Sequence, residues 1–318
     1  MNFGRRTPED ESRAIIKRAM DAGVYFWDTA DVYNAGLSEE IIGRALKDLG
    51  IRKDVVLATK VNQPTGDGPN DRGSGRQHIL NEVERSLQRL QTDWIDLYQL
   101  HRPDFTAPLE ETVETMNDLV RSGKIRFWGT SVFPGWRIAE AWWRAERRGL
   151  ARPVSEQGPY NLLDRRIEQE RLAAIHEYGL GLMPWSPLAG GMLSGKYGVD
   201  AIDDPPPGTR FLTRPDISLR RASRRTIETA HKLIGLARDH GLEPVAFAIA
   251  WLLHQPDVTA PIVGPADIPQ LEAYLPGADL SLSSELLDSV DSIVPRGTAV
   301  ADFHDNSGWY VGSTSVIS

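Results

Sequence analysis

Val24-Tyr25-Phe26-Trp27-Asp28 is a short apolar run closed by a carboxylate, set between one helical pattern that stops at Gly23 and another that opens near Ser38. A run of that length with no polar alternation is what a parallel strand covered on both faces requires. The same grammar recurs at 55–59, 94–100, 125–129, 154–156, 180–185 and 260–263. Amphipathic helical patterns at 38–49, 76–90, 109–121, 136–147, 166–178 and 223–239 fill the intervals, and one at 7–22 precedes the first run. In that first helix Thr7, with Asp10 three residues on, has the form of a capping box, while Pro8 suits the first turn. Strand and helix alternating throughout predict an α/β fold with a parallel sheet. The persistence of the pattern predicts one closed (β/α)8 TIM-type barrel over 1–318 rather than a doubly wound sheet with a second domain.

The count is about seven strands where a barrel of this type has eight, and the chain opens on Met1-Asn2-Phe3-Gly4, which reads as the end of a strand. The first strand is therefore expected to be short or missing: either the start is truncated, or another segment such as the tail 296–318 covers the gap, since an open edge invites pairing with another chain. Two connections, 62–75 and 198–219, are long and rich in Gly and Pro; both leave the C-terminal end of a strand, so both are expected on the functional rim.

With 36 basic against 44 acidic residues, the field of the chain repels phosphate backbones, and no basic stripe offsets it; a small molecule is the expected partner, not nucleic acid. Cysteine is absent, which removes disulfides, thiolate nucleophiles and Cys-ligated zinc and suits a reducing cytoplasm. No stretch has the length of a membrane span and Met1 to Ser12 lacks an apolar signal core, so neither membrane nor export is expected. Seven scattered histidines without metal-site spacing argue against a metalloenzyme. Gly190 to Lys196 has the spacing of a phosphate-binding loop, but Tyr197 stands where magnesium needs Ser or Thr.

Asp28, Lys60 and His101 fall at or just after the C-terminal ends of three successive strands, with Tyr33 in the loop behind Asp28. Each alone has an ordinary structural explanation. Together they bring a carboxylate, an ammonium, an imidazole and a phenol to one rim, and carbonyl reduction uses all four: the oxygen gains negative charge, so it needs a proton donor and a fixed hydrogen-bond donor. Tyr33 is the expected acid, Lys60 is expected to pull its pKa down from about 10, Asp28 to keep Lys60 charged, and His101 to orient the carbonyl. Nine tryptophans, with Trp27, Trp128, Trp185 and Trp309 near the rim or tail, suit a planar or glycosidic substrate, and Trp27 and Arg102 are expected to border its pocket.

Trp27-Asp28-Thr29-Ala30-Asp31-Val32-Tyr33, Leu57-Ala58-Thr59-Lys60 and Tyr98-Gln99-Leu100-His101-Arg102-Pro103-Asp104 resemble, in order and spacing, the motifs of the aldo-keto reductase superfamily, and the resemblance runs from Met1 to about Leu275. It implies a (β/α)8 barrel that binds NADPH in extended form. By local match it also implies cofactor contacts: Ser131 and Gln157 at the nicotinamide amide, Trp185 stacked on its ring, and Ser186, Pro187, Leu188 and Gly191 in the pyrophosphate loop. Lys196 and Arg210 would meet phosphate, and Gly264 and Gln270 the adenosine end. Val132 departs from the family's Asn after the serine. Pro265-Ala266-Asp267 and Ala273-Tyr274 depart from its 2′-phosphate anchor, which keeps NADH open; NADPH is still favoured, with Arg210 as anchor.

Within the superfamily the pattern is closest to potassium-channel β subunits and bacterial reductases of deoxysugars and other natural products. The reading is reduction of a ketone or aldehyde on such a polar metabolite, with 2,3-enoyl reduction of a nucleotide-deoxysugar as the alternative chemistry. A regulatory NADP(H)-binding sensor with little turnover is the rival of another class; His101 speaks against it, because the channel-associated relatives usually carry Asn there. A homo-oligomer is compatible with every one of these readings.

Overall fold

Six of the apolar runs become strands: β1 (Phe26–Asp28), β2 (Val56–Val61), β3 (Ile95–Leu100), β4 (Ile125–Ser131), β5 (Ser155–Pro159) and β6 (Gly181–Trp185). These belong to a computed structural model that describes residues 1–204, 209, 212 and 222–300. Sheet order is sequence order, and the pairs from β1 through β5 are parallel. Parallel neighbours need a crossover, supplied by α2 (Leu37–Leu49), α3 (Arg76–Leu90), α4 (Leu109–Arg121), α5 (Gly135–Glu146) and, behind β5, a single 3₁₀ turn and the short α6 (Arg171–Glu177). The helix α1 (Glu9–Asp21) precedes β1, and α7 (Arg224–Asp239), α8 (Pro244–Leu253), α9 (Ile268–Tyr274) and α10 (Ser284–Ile293) follow β6.

Three local expectations fail for identifiable reasons. Segment 260–263 forms no strand but isolated bridges, Leu182 with Val258 and Trp185 with Ile262, because Pro261 has no N–H to extend a ladder. Residues 2–7 fold into a turn in which Arg5, Arg6 and Thr7 all donate to the Asn2 carbonyl, so only a single bridge, Phe3 with Thr7, survives of the expected strand end. Thr7 does not cap α1: its hydroxyl donates to the Ala266 carbonyl at 2.9 Å, and Glu9, Asp10 and Glu11 in the first turn meet the helix dipole instead. No helix among the described residues is long and apolar enough to cross a membrane, and no cluster among them has the makings of a metal site.

The described chain divides into two compact units. The first is Met1–Gln157 with Ala174–Gly181 and Gly264–Glu272; the second takes Gly158–Ala173, Leu182–Val263 and the residues from Ala273 on. In the second, α8 is apolar nearly all round and buried from Ala246 to Leu252, with Trp251 edge-on to Tyr160 at 5.2 Å, as a helix at the centre of a core must be.

In the first unit, strand alternation sorts side chains to two faces. The register pairs Asp28 with Ala58, Lys60 with Gln99, Gln99 with Gly129 and Ser131 with Gln157, so these positions share one face. Trp27, Leu57, Thr59, Tyr98, Trp128 and Thr130 share the other, which packs on the helices. There Thr59 donates to Glu39 of α2 at 2.6 Å, and Arg89 of α3 reaches the second Glu39 oxygen at 2.6 Å. Glu39 is fully buried. Gly43 lets the two helices meet, since a Cβ there would lie 2.3 Å from the Arg89 carbonyl oxygen. Removing one partner of a buried pair leaves an uncompensated charge, so Arg89→Met should cost about 3–5 kcal/mol, read as a lower denaturant midpoint. An unchanged midpoint would mean that water reaches Glu39.

Candidate active site

Lys60 projects from the end of β2 into the face shared with Asp28, and its side chain is fully buried. Its ammonium donates to Asp28 Oδ2 at 2.5 Å and to the Thr29 carbonyl at 2.8 Å, and lies 5.2 Å from the Tyr33 ring centroid. Burial pushes the Lys60 pKa down, but the Asp28 carboxylate and the contact with Tyr33 more than offset it, and the net direction is up. The lysine is therefore held as ammonium, as expected of the pair.

Tyr33 follows from the loop behind β1 and meets His101 edge-on, ring centroids 5.7 Å apart. Here the expectation of a lowered phenol pKa is corrected. Burial raises it, the Lys60 charge lowers it, Asp28 raises it again, and the balance lies above the ordinary value. Tyr33 is a protonated phenol at neutral pH, with a cation beside it that would favour the phenolate once the proton has left.

His101 sits just past β3 and is neutral at neutral pH: burial, then the Lys60 and Arg102 charges, hold its pKa well below the usual histidine range. Its Nδ1 is buried without a hydrogen-bond partner. Below about pH 6.5 the unfolded chain protonates this histidine and the folded chain does not. The stability that His101 contributes is therefore present above the unfolded pKa and lost as pH falls toward the depressed folded value. His101→Gln should flatten the fall in melting temperature between about pH 7 and pH 5; an equally steep fall would place the acid sensitivity elsewhere.

The proposed substrate-side residues separate. Arg102 donates to the His101 carbonyl at 2.7 Å, and its charge reaches Tyr33, so it belongs to this cluster. Trp27 does not: alternation puts its indole on the face opposite Asp28, buried, with its N–H on the Val24 carbonyl at 3.0 Å. The reading of Trp27 as a pocket wall is corrected accordingly. A residue that the motif reading passed over belongs instead. Gln99 donates to Asp28 Oδ1 at 3.0 Å, and Gln157 donates to the same oxygen at 2.9 Å and to Gln99 Oε1 at 3.1 Å.

Ser131 ends β4 with its Oγ buried and unpartnered. The next residue, Val132, is buried at φ 59°, a strained conformation for a β-branched side chain, with its N–H on the Gln157 carbonyl at 2.9 Å. In the second unit Trp185 ends β6. Ser186, Ala189, Gly190 and Gly191 all have positive φ in the loop that follows, which also contains Pro187 and Leu188. A Cβ on Gly191 would lie 2.9 Å from the Lys196 ammonium, so the loop and its lysine close on each other. Arg210 lies outside the described residues, as do 205–208, Trp309 and the rest of 301–318. Back in the first unit the Gly264 carbonyl accepts from Asn2 at 2.8 Å, and Gln270 is held by Asp267 and Ala266 through its own amide. An open groove of about 610 Å³, lined by Met20, Tyr25, Leu49 and Ile51 among others, lies at the N-terminal end of β1 and contains none of these residues.

The aldo/keto reductase family model matches residues 1–295. The chain belongs to the aldo/keto reductase family. As such it is an NAD(P)H-dependent oxidoreductase. Similar proteins include an uncharacterized oxidoreductase of Bacillus subtilis, 41% identical across 93% of this chain and 90% of its own length. A probable voltage-gated potassium channel subunit beta of rice is 38% identical across 92% and 90%, and a putative one of Schizosaccharomyces pombe 33% identical across 90% and 84%.

This aldo/keto reductase has polar atoms that suit a nicotinamide: the orphaned Ser131 Oγ, and Gln157 Oε1 beside it across the β4–β5 register. The glycine loop with Lys196 suits a pyrophosphate, where positive-φ backbone and an ammonium favour an anion. The adenosine end offers less: Asp267, a carboxylate, holds Gln270 where a 2′-phosphate would want a cation.

Proposed function

We propose that this chain reduces a ketone or aldehyde with NADPH, Tyr33 being the proton donor, on a closed (β/α)8 barrel of which the six described strands are the larger part. The observation that carries the reading is the Asp28–Lys60 pair buried against Tyr33, with His101 at the edge of the phenol ring. When bound, the reduced nicotinamide supplies the hydride. In the first unit Ser131 and Gln157 would hold its amide; in the second, Trp185 would suit its ring, and Lys196 with the 186–191 loop its phosphates. Gly264 and Gln270 would meet the adenosine end, with NADH as the alternative cofactor because of Asp267.

As negative charge develops on the carbonyl oxygen, the Tyr33 O–H transfers its proton there. The Lys60 ammonium stabilises the phenolate left behind, and Asp28 keeps Lys60 charged and aimed. His101 is neutral and its Nδ1 is buried; leaving that nitrogen bare costs less than burying an unpaired N–H, so its proton belongs on Nε2, as a donor to the carbonyl. Arg102 borders the same oxygen's approach. A deoxysugar or natural-product carbonyl is the substrate class that the sequence resemblance favours, and the cytoplasm the expected place of work.

A sensor that retains the dinucleotide and turns over slowly is the second reading, favoured by the relatives named as potassium channel subunits. Titration with NADPH and NADH, followed by tryptophan emission, tests the cofactor side. Saturable quenching with NADPH the tighter ligand is expected; absence of quenching by either would remove both readings.

A further inference from the structure

We infer that Gln99 is a positioning residue that sets the hydrogen-bond polarity of the nicotinamide subsite by locking the amide of Gln157. This rests on the reading that Gln157 and Ser131 meet the nicotinamide carboxamide. The amide orientations follow from Asp28. Its carboxylate, paired with the Lys60 ammonium through Oδ2, can only accept, so any amide facing Oδ1 must turn its NH2 toward it. Both Gln99 and Gln157 do so, at 3.0 and 2.9 Å. With its nitrogen committed to Asp28, Gln99 presents Oε1 to Gln157 and accepts that residue's second N–H at 3.1 Å.

Gln157 thus has both N–H groups engaged on the protein and keeps only Oε1, an acceptor, for a ligand. Its register partner Ser131 has the complementary need: a buried hydroxyl without a partner, able to donate. The subsite therefore offers one acceptor and one donor, the complement of a carboxamide, which brings an NH2 and a carbonyl. Gln99 is fully buried and is not expected to touch the cofactor. Without it Asp28 still holds one N–H of Gln157 but the second has no acceptor, so the amide can pivot about the bond to Asp28 and turn that N–H outward, which erases the acceptor-only character of the position.

The test compares NADP⁺ with its 3-acetylpyridine analogue, which replaces the carboxamide NH2 by a methyl group and so cannot donate to Gln157. Dissociation constants are read from tryptophan quenching on the wild type, Gln99→Leu and Gln99→Met, with melting curves confirming the fold. The wild type should prefer NADP⁺ by about tenfold, the worth of one hydrogen bond and its buried acceptor, and in both variants the preference should shrink to within about twofold. A merely structural role would weaken both dinucleotides equally and leave the ratio intact, which overturns the proposal. Equal affinity of the wild type for the two ligands overturns it as well, before any variant is made. Failure of the wild type to bind either dinucleotide would overturn the cofactor reading itself, and this proposal with it.

Discussion

Tyr33→Phe is expected to bind NADPH within about twofold of the wild type while kcat for any accepted carbonyl falls by about 10²–10⁴, the usual worth of a positioned general acid. The separation follows from where the phenol acts. Its proton is needed only as charge appears on the substrate oxygen, so deleting it removes transition-state stabilisation and spares ground-state binding. The fold should survive, because Lys60 retains Asp28 and the Thr29 carbonyl as partners. The raised pKa of Tyr33 adds a pH signature: the proton stays available through neutrality, so wild-type activity should decline only on the alkaline side of the phenol's ordinary value. Wild-type turnover in the Phe variant would end the assignment of Tyr33 as acid.

Lys60→Met should lose activity to a similar degree and, unlike Tyr33→Phe, should also destabilise the protein. Methionine fills the volume but leaves the Asp28 carboxylate, whose side chain is 10% exposed, without its cation. Breaking a buried pair from one side costs about 3–5 kcal/mol, much of it the stranded charge. The double variant Asp28→Asn, Lys60→Met should therefore recover most of the lost stability and none of the activity. Denaturant midpoints for the four proteins of this cycle, with turnover measured in parallel, separate the two contributions. If the double variant is as unstable as Lys60→Met, the loss comes from packing and not from the charge.

The parts of this protein that were legible in the sequence are those that depend on order along the chain. Strand ends at Asp28 and Leu100 followed from apolar runs closed by polar residues, while β2 runs past the expected Thr59 to Val61; the four-residue cluster followed from the rim those ends share. Side-chain direction is legible too: a step of two back from His101 places Gln99 with the site, and a step of one back from Asp28 places Trp27 on the opposite face. What could not be read was the balance of competing terms. A lysine near a tyrosine lowers the phenol pKa in isolation, and only the burial of Tyr33 reverses the sign. The capping pattern at Thr7 lost to the carbonyl of Ala266, a residue 259 positions away, which no local pattern can register. Segment 260–263 is an apolar run that contains Pro261, whose missing N–H stops a ladder that hydrophobicity alone would predict.

The most direct test of the account is to mix the purified protein with NADPH and a simple aromatic aldehyde and to measure NADPH loss and alcohol formed together. The two are expected in equal amounts, over many turnovers, with both abolished in Tyr33→Phe. Tight NADPH binding with no alcohol from the aldehyde or from a panel of ketones would contradict it and leave the sensor reading in its place.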